Sequence, residues 1–305
     1  MQDGIKGHIM ILIANILFAV ALPVFKFLLS SGFPPEAIVI MRVTFACIAF
    51  WTVSLFLPKE NVDRKDILRL IICALCGVCL NQLFFVIGLV TASPINASII
   101  STAVPIFVMI LAALILKEPI TKMRARGVFL GVCGGLLLVL TSYHGVNRAG
   151  SVRGDLLIAF NNLLYSFYLV LSRPLSQKYS PITLMKWMFL VSVIVLAPIC
   201  SSHLKDVPLF YKATFNAAQL LGLLYLLLGS TFFAFLLTQF ALRYIRPTTA
   251  SMYNYVQPIV ASTIAIAAAQ DHFSWVKLFS TALVFIGVYL VTKSKKRSDV
   301  IVPEG

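Results

Sequence analysis

Residues 7–34 read GHIMILIANILFAVALPVFKFLLSSGFP, and residues 154–181 read GDLLIAFNNLLYSFYLVLSRPLSQKYSP. Overlaid at an offset of 147, they share Gly7/Gly154, Ile11/Ile158, Asn15/Asn162, Leu17/Leu164, Leu22/Leu169, Leu28/Leu175 and Pro34/Pro181, while Lys26/Arg173 keep their charge. A second block matches at an offset of 153. There Leu89/Leu242, Pro94/Pro247, Ala97/Ala250, Ser98/Ser251, Pro105/Pro258, Ile106/Ile259 and Ala112/Ala265 are identical, and Glu118/Asp271 keep a carboxylate. Two apolar sequences share leucines by chance. Shared prolines and a shared acid at one fixed offset point instead to an internal duplication. Its copies are expected to span residues 1–145 and 150–295.

Each copy is too apolar for water. Hydrophobic residues make up 60% of the chain and charged residues only 12%, against roughly a quarter charged in soluble domains. The mean hydropathy is +0.94. Apolar runs exceed the roughly 18 residues that argue for a bilayer span. The expected fold is therefore an all-α integral membrane protein of ten transmembrane helices. The spans are read at about 5–29, 36–57, 67–90, 93–116, 122–142, 153–173, 181–200, 216–242, 247–269 and 274–292. The first is too long for a signal-peptide core and lacks a clear cleavage site, so it is expected to be retained.

Lys and Arg fix the orientation. With the N-terminus inside, inner segments carry 17 basic residues and outer segments carry 5, which places both termini in the cytoplasm. Lys26, Arg42 and Lys186 remain inside spans. The same accounting explains the net charge of +14, so nucleic-acid binding is not expected. Five spans per copy is an odd number, so the second copy enters from the opposite face. Inverted repeats are the architecture of alternating-access carriers, with the substrate near the midplane where the repeats meet.

The stretch from Ala241 to Ser251, ALRYIRPTTAS, continues to Gln257-Pro258 and Asp271. It resembles the second-repeat signature of EamA-type carriers in the drug/metabolite transporter superfamily. Gly88 to Ser98, Pro105 and Lys117-Glu118-Pro119 show the same plan in the first half, and Arg42 resembles a recurrent arginine of that family. The resemblance covers nearly the whole chain. It implies a ten-helix carrier for amino acids, other metabolites or drugs, often exporting, in the bacterial cytoplasmic membrane. Asp271-His272 departs from the more usual Gly-Glu pair, which weakens any role carried over to Asp271.

The ionisable inventory limits the chemistry. Every Asp, Glu and His falls in a loop or within a turn of an expected helix end. A carboxylate relay at mid-membrane is therefore not expected, nor is a catalytic constellation. Cys73, Cys76 and Cys79 drift slowly around one helix face. They read as small residues at a helix contact, and no metal or other cofactor is expected.

Polar side chains near span centres are the better clue. Asn15 and Asn162 are repeat-related; Asn81, Gln82, Tyr165, Tyr253, Asn254 and Gln257 join them as expected substrate contacts. Amides and phenols can hold a zwitterion or a polar ring without a buried charge. Interhelical hydrogen bonding is the competing reading. Pro105 and Pro258 free the carbonyls of Ser101 and Asn254, and are expected as matched hinges. Lys26 and Arg42 read either as a cationic vestibule for carboxylate substrates or as snorkelling cations with Glu36 nearby. Gly127, Gly131, Gly134 and Gly135 read as close helix packing, and also leave a homodimer open. The expected partners are thus a small-molecule substrate and membrane lipid. The function read from the sequence is a secondary carrier, an amino-acid or related metabolite exporter. A drug or nucleotide-sugar carrier is the alternative within transport, and a lipid flippase or scramblase the alternative outside it.

Overall fold

No water in a bilayer core satisfies a bare N–H or C=O, so an apolar chain must pair its backbone within helices. The computed structural model describes residues 2–92, 97, 100–142, 151–208, 217–267 and 274–294. Among them every regular element is helical. Helix α1 is Gln2–Ser30, α2 is Pro35–Leu55 and α3 is Arg64–Thr91. Then come α4 (Val104–Ile115), α5 (Lys122–Ser142), α6 (Val152–Lys178) and α7 (Pro181–Cys200). Helix α8 is Ala217–Tyr244, followed by α9 (Pro247–Met252), α10 (Val256–Ala267) and α11 (Trp275–Lys293).

Seven of the described helices are long and apolar enough to cross a bilayer. Expected spans four and nine do not appear as single long helices, and proline is the reason. A proline cannot donate its backbone hydrogen bond, and its ring crowds the carbonyl four residues earlier. Pro105 sits in the first turn of α4, after a turn at Thr102–Ala103. Pro258 sits in the first turn of α10, after a 3-10 turn at Tyr253–Tyr255. Pro94, Ser98, Asp271 and His272 lie outside the described residues.

Two long helices carry π-helical turns. One is Leu75–Cys79 in α3, the other Leu226–Phe233 in α8. The offset of 153 carries the first onto residues 228–232, inside the second. Such turns are rare, and they concentrate at functional sites. Gly77, inside the first one, lets it pack against the Tyr168 ring: a Cβ there would lie 2.2 Å from that ring. Cys73 and Cys79 flank it, fully buried.

One apolar core joins α1–α4 and α6–α9, while a smaller one gathers Val128, Met252, Tyr255, Val284 and Val291. The glycines of α5 allow that second packing. A Cβ on Gly127 would lie 2.8 Å from the Gly287 carbonyl, and one on Gly134 would lie 2.7 Å from that of Ser280. Gly131 and Gly135 meet the Tyr255 ring. The stripe is occupied by contacts within the chain.

Polar ties close one end of the helices. Lys117 adopts a left-handed conformation (φ 53°) past the end of α4, and Glu118 then pairs with buried Arg124 at 3.0 Å. Arg246 donates to the Val291, Thr292 and Ser294 carbonyls at the end of α11, and Arg173 donates to that of Ile245. Lys178 bridges Asp63 and Asp66 from α6 to the start of α3.

Candidate functional site

A buried amide needs a partner, and in a bilayer only another side chain, the backbone or a solute can supply one. Asn15 is fully buried on α1. Its Nδ2 donates to the Ile11 carbonyl at 2.9 Å, and its Oδ1 accepts from Gln257 Nε2 on α10 at 3.0 Å. Its counterpart Asn162 on α6 donates to Ser101 Oγ at 3.3 Å. Ser101 in turn donates to the Ala97 carbonyl, just before the break that precedes Pro105. Each asparagine therefore reaches from the leading helix of one half to the interrupted segment of the other.

Further ties surround this exchange. Asn81 and Asn161 each donate to the other's backbone carbonyl, at 3.2 and 2.7 Å, and lock α3 to α6. Tyr253 Oη lies 2.8 Å from His8 Nδ1 on α1. Tyr255 donates to the Thr102 carbonyl at 2.8 Å, which pins one broken segment to the other. Tyr165 lies beside Tyr168, with ring centroids 6.0 Å apart. Tyr168 is fully buried and accepts from Gln239 Nε2 at 2.7 Å.

Two expected residues are left wanting. Gln82 is 3% exposed, and among the described residues neither its Oε1 nor its Nε2 has a partner. The Asn254 Oδ1 is also buried and unpaired. Buried polar atoms are usually satisfied, which makes these two amides candidates for contact with a solute.

The two cations of the expected vestibule part company. Lys26 is exposed on α1. Arg42 is buried, donating from Nε to Thr231 Oγ1 at 2.7 Å and lying over the Phe25 ring. His8, Ser230, Thr231 and Gln239 are not among the contacts expected from the sequence, and Ser101 enters there only through the carbonyl that Pro105 frees. Serines and threonines scattered through apolar runs carry no such mark.

A model of the EamA-like transporter family matches residues 5–140 and 152–293. The chain belongs to that family, within the drug/metabolite transporter superfamily. This EamA-like protein is 27% identical over 243 residues to an uncharacterized transporter of Archaeoglobus fulgidus, spanning 80% of this chain and 81% of that one. It is 26% identical over 233 residues to the uncharacterized transporter YcxC of Bacillus subtilis, spanning 75% and 74%. A WAT1-related protein of Arabidopsis thaliana is 25% identical over 321 residues, spanning 95% of this chain and 86% of that one. A crystal structure at 17% identity superposes with a TM-score of 0.73 over 96% of this chain and 99% of that one, which speaks to the fold. The EamA-like chain is thus a multi-pass membrane transporter of small molecules.

Proposed function

We propose that the protein exports an amino acid or a related small metabolite by alternating access. In this reading ten spans form two inverted five-helix repeats, residues 1–145 and 150–295. Both termini face the cytoplasm of a bacterial cell, across its inner membrane. One observation carries the reading. Asn15 bonds to Gln257, and Asn162 bonds to Ser101, so each half supplies a polar anchor to the other half's broken helix. Groups that bind a substrate at such a junction feel both halves, and rocking one half against the other remakes those bonds. Asn15, Asn81, Gln82, Asn162, Tyr165, Tyr253, Asn254 and Gln257 are the proposed substrate contacts, and Pro105 and Pro258 the proposed hinges. The burial of Asn15, Gln82 and Asn162 favours a carrier with an enclosed site over a lipid flippase with a polar groove open to lipid.

The test compares metabolites outside and inside cells with and without the protein. At least one amino acid or near relative accumulates outside when the protein is present. An unchanged profile for all of them overturns the export reading. Cysteine labelling at positions 59 and 295 checks the orientation: labelling by an impermeant reagent from outside at either position reverses it.

A further inference from the structure

A guanidinium inside a membrane protein is costly unless an anion stands beside it. Arg124 has one, Glu118 at 3.0 Å. Arg42 has none: no carboxylate pairs with it among the described residues. It is 3% exposed on α2. Its neighbours are Thr231 Oγ1 at 2.7 Å, Ser230 Oγ at 3.5 Å and the Phe25 ring with its centroid 4.8 Å away. All three are neutral. Among the described residues, two hydroxyl acceptors serve a group with five N–H donors.

The hydroxyls are oriented for this task. Thr231 and Ser230 both donate to the Leu226 carbonyl, at 2.6 and 3.1 Å, within the π-helical turn of α8. Their protons are committed backwards, so their lone pairs face Arg42. That arrangement fixes the fork and leaves its charge uncancelled.

Gln82 is the second incomplete group. It lies three residues past the π-helical turn of α3, with neither end of its amide paired. Phe85 follows one turn later on the same helix face. The Phe85 ring stands edge-on to Phe25 at 5.7 Å, and Phe25 is the ring beneath Arg42. Gln82 thus stands one turn before Phe85 on α3, and Arg42 lies over the Phe25 ring that Phe85 meets.

We infer that Arg42 and Gln82 bind the carboxylate end of the transported molecule. A carboxylate is planar and matches the guanidinium fork through two parallel hydrogen bonds. The Gln82 amide donates to the same carboxylate through Nε2, or accepts an α-ammonium through Oε1. An α-amino acid satisfies both groups, and a simple carboxylate satisfies the cation. A cationic molecule lacking a carboxylate is rejected. This rests on the transporter reading and narrows its substrate class.

The test uses the full chain, purified in micelles and in nanodiscs. The probes are the proteinogenic amino acids, acetate, lactate and benzoate, each carboxylate matched to its amide, with sodium chloride at equal ionic strength. Thermal unfolding reads binding, because a ligand of the native state raises the midpoint. At least one carboxylate raises it saturably, and its amide does not. Arg42→Lys keeps the charge but loses the fork, and weakens that carboxylate about tenfold or more. Gln82→Leu removes the orphan amide, so the unliganded protein becomes more stable while the carboxylate binds less tightly. This second variant decides the matter if Arg42→Lys fails to fold. Absence of stabilisation by every carboxylate overturns the inference. So does an equal effect of chloride, or affinity within about twofold of wild type in both variants. Flux in proteoliposomes separates the two layers. Flux without dependence on Arg42 sinks the carboxylate site alone; Arg42-dependent binding without flux sinks the transport reading alone.

Discussion

Gly77→Ala is the sharpest probe of the packing that holds the first π-helical turn. The added Cβ would lie 2.2 Å from Tyr168 Cδ2 and 2.4 Å from Cγ, well inside van der Waals contact. The ring must retreat by about 1 Å or more to restore an ordinary separation. It has nowhere to go: Tyr168 is 0% exposed, packed on Phe235 and held by Gln239 at 2.7 Å. Overpacking of this kind costs about 1–3 kcal/mol. Breaking the Gln239 bond in a buried site adds about 1 kcal/mol. The expected loss is therefore about 2–4 kcal/mol, read by titrating the purified protein with a denaturing detergent. Tyr168→Leu opens space, so the double variant is less destabilised than the two singles summed. A Gly77→Ala protein within about 0.5 kcal/mol of wild type, or strict additivity in the cycle, refutes this packing.

Asn15→Leu and Asn162→Leu each cut flux about tenfold or more while the protein still folds; normal flux in both removes the midplane site. Gly287→Ala pushes a Cβ to 2.6 Å from the Gly127 carbonyl, whereas Gly4→Ala meets nothing within 4 Å. The first costs about 1–3 kcal/mol by the same denaturing titration and the second costs nothing measurable. Burial raises the Glu60 carboxyl, but hydrogen bonds from Thr183 and Ser180 and the charge of Arg243 outweigh it and hold it below the ordinary carboxylate value. Its contribution is present above the ordinary value and lost as pH falls through the lowered one, so Glu60→Gln flattens the acid limb of stability against pH.

Helices were legible wherever apolar runs were long, because the bilayer leaves the backbone one solution. Span ends came within a few residues for α2 and α7, while α6 runs five residues past its expected end, to Lys178. The prolines at 105 and 258 are visible in the sequence, but not the turn at Thr102–Ala103 or the 3-10 segment at Tyr253–Tyr255 that precedes each. A proline marks a lost bond; whether the helix bends or stops depends on neighbours such as Tyr255, which takes up the Thr102 carbonyl. The π-helical turns had no signal at all; Gly77, in the first, packs against a ring 91 positions away in the chain. Asn15 and Asn162 stood out by repetition, but their partners did not: Asn15 finds Gln257 and Asn162 finds Ser101 only through the fold. Arg42 and Lys26 looked alike as charges inside spans, and burial tells them apart.

The proposed function is movement of a small metabolite through a site shared by the chain's two halves. The direct measurement loads proteoliposomes containing the full chain with labelled amino acids and follows their exit. At least one leaves faster than from protein-free liposomes, and the Asn15→Leu/Asn162→Leu double variant abolishes the difference. Exit no faster than from empty liposomes, or as fast through the double variant as through wild type, contradicts the account.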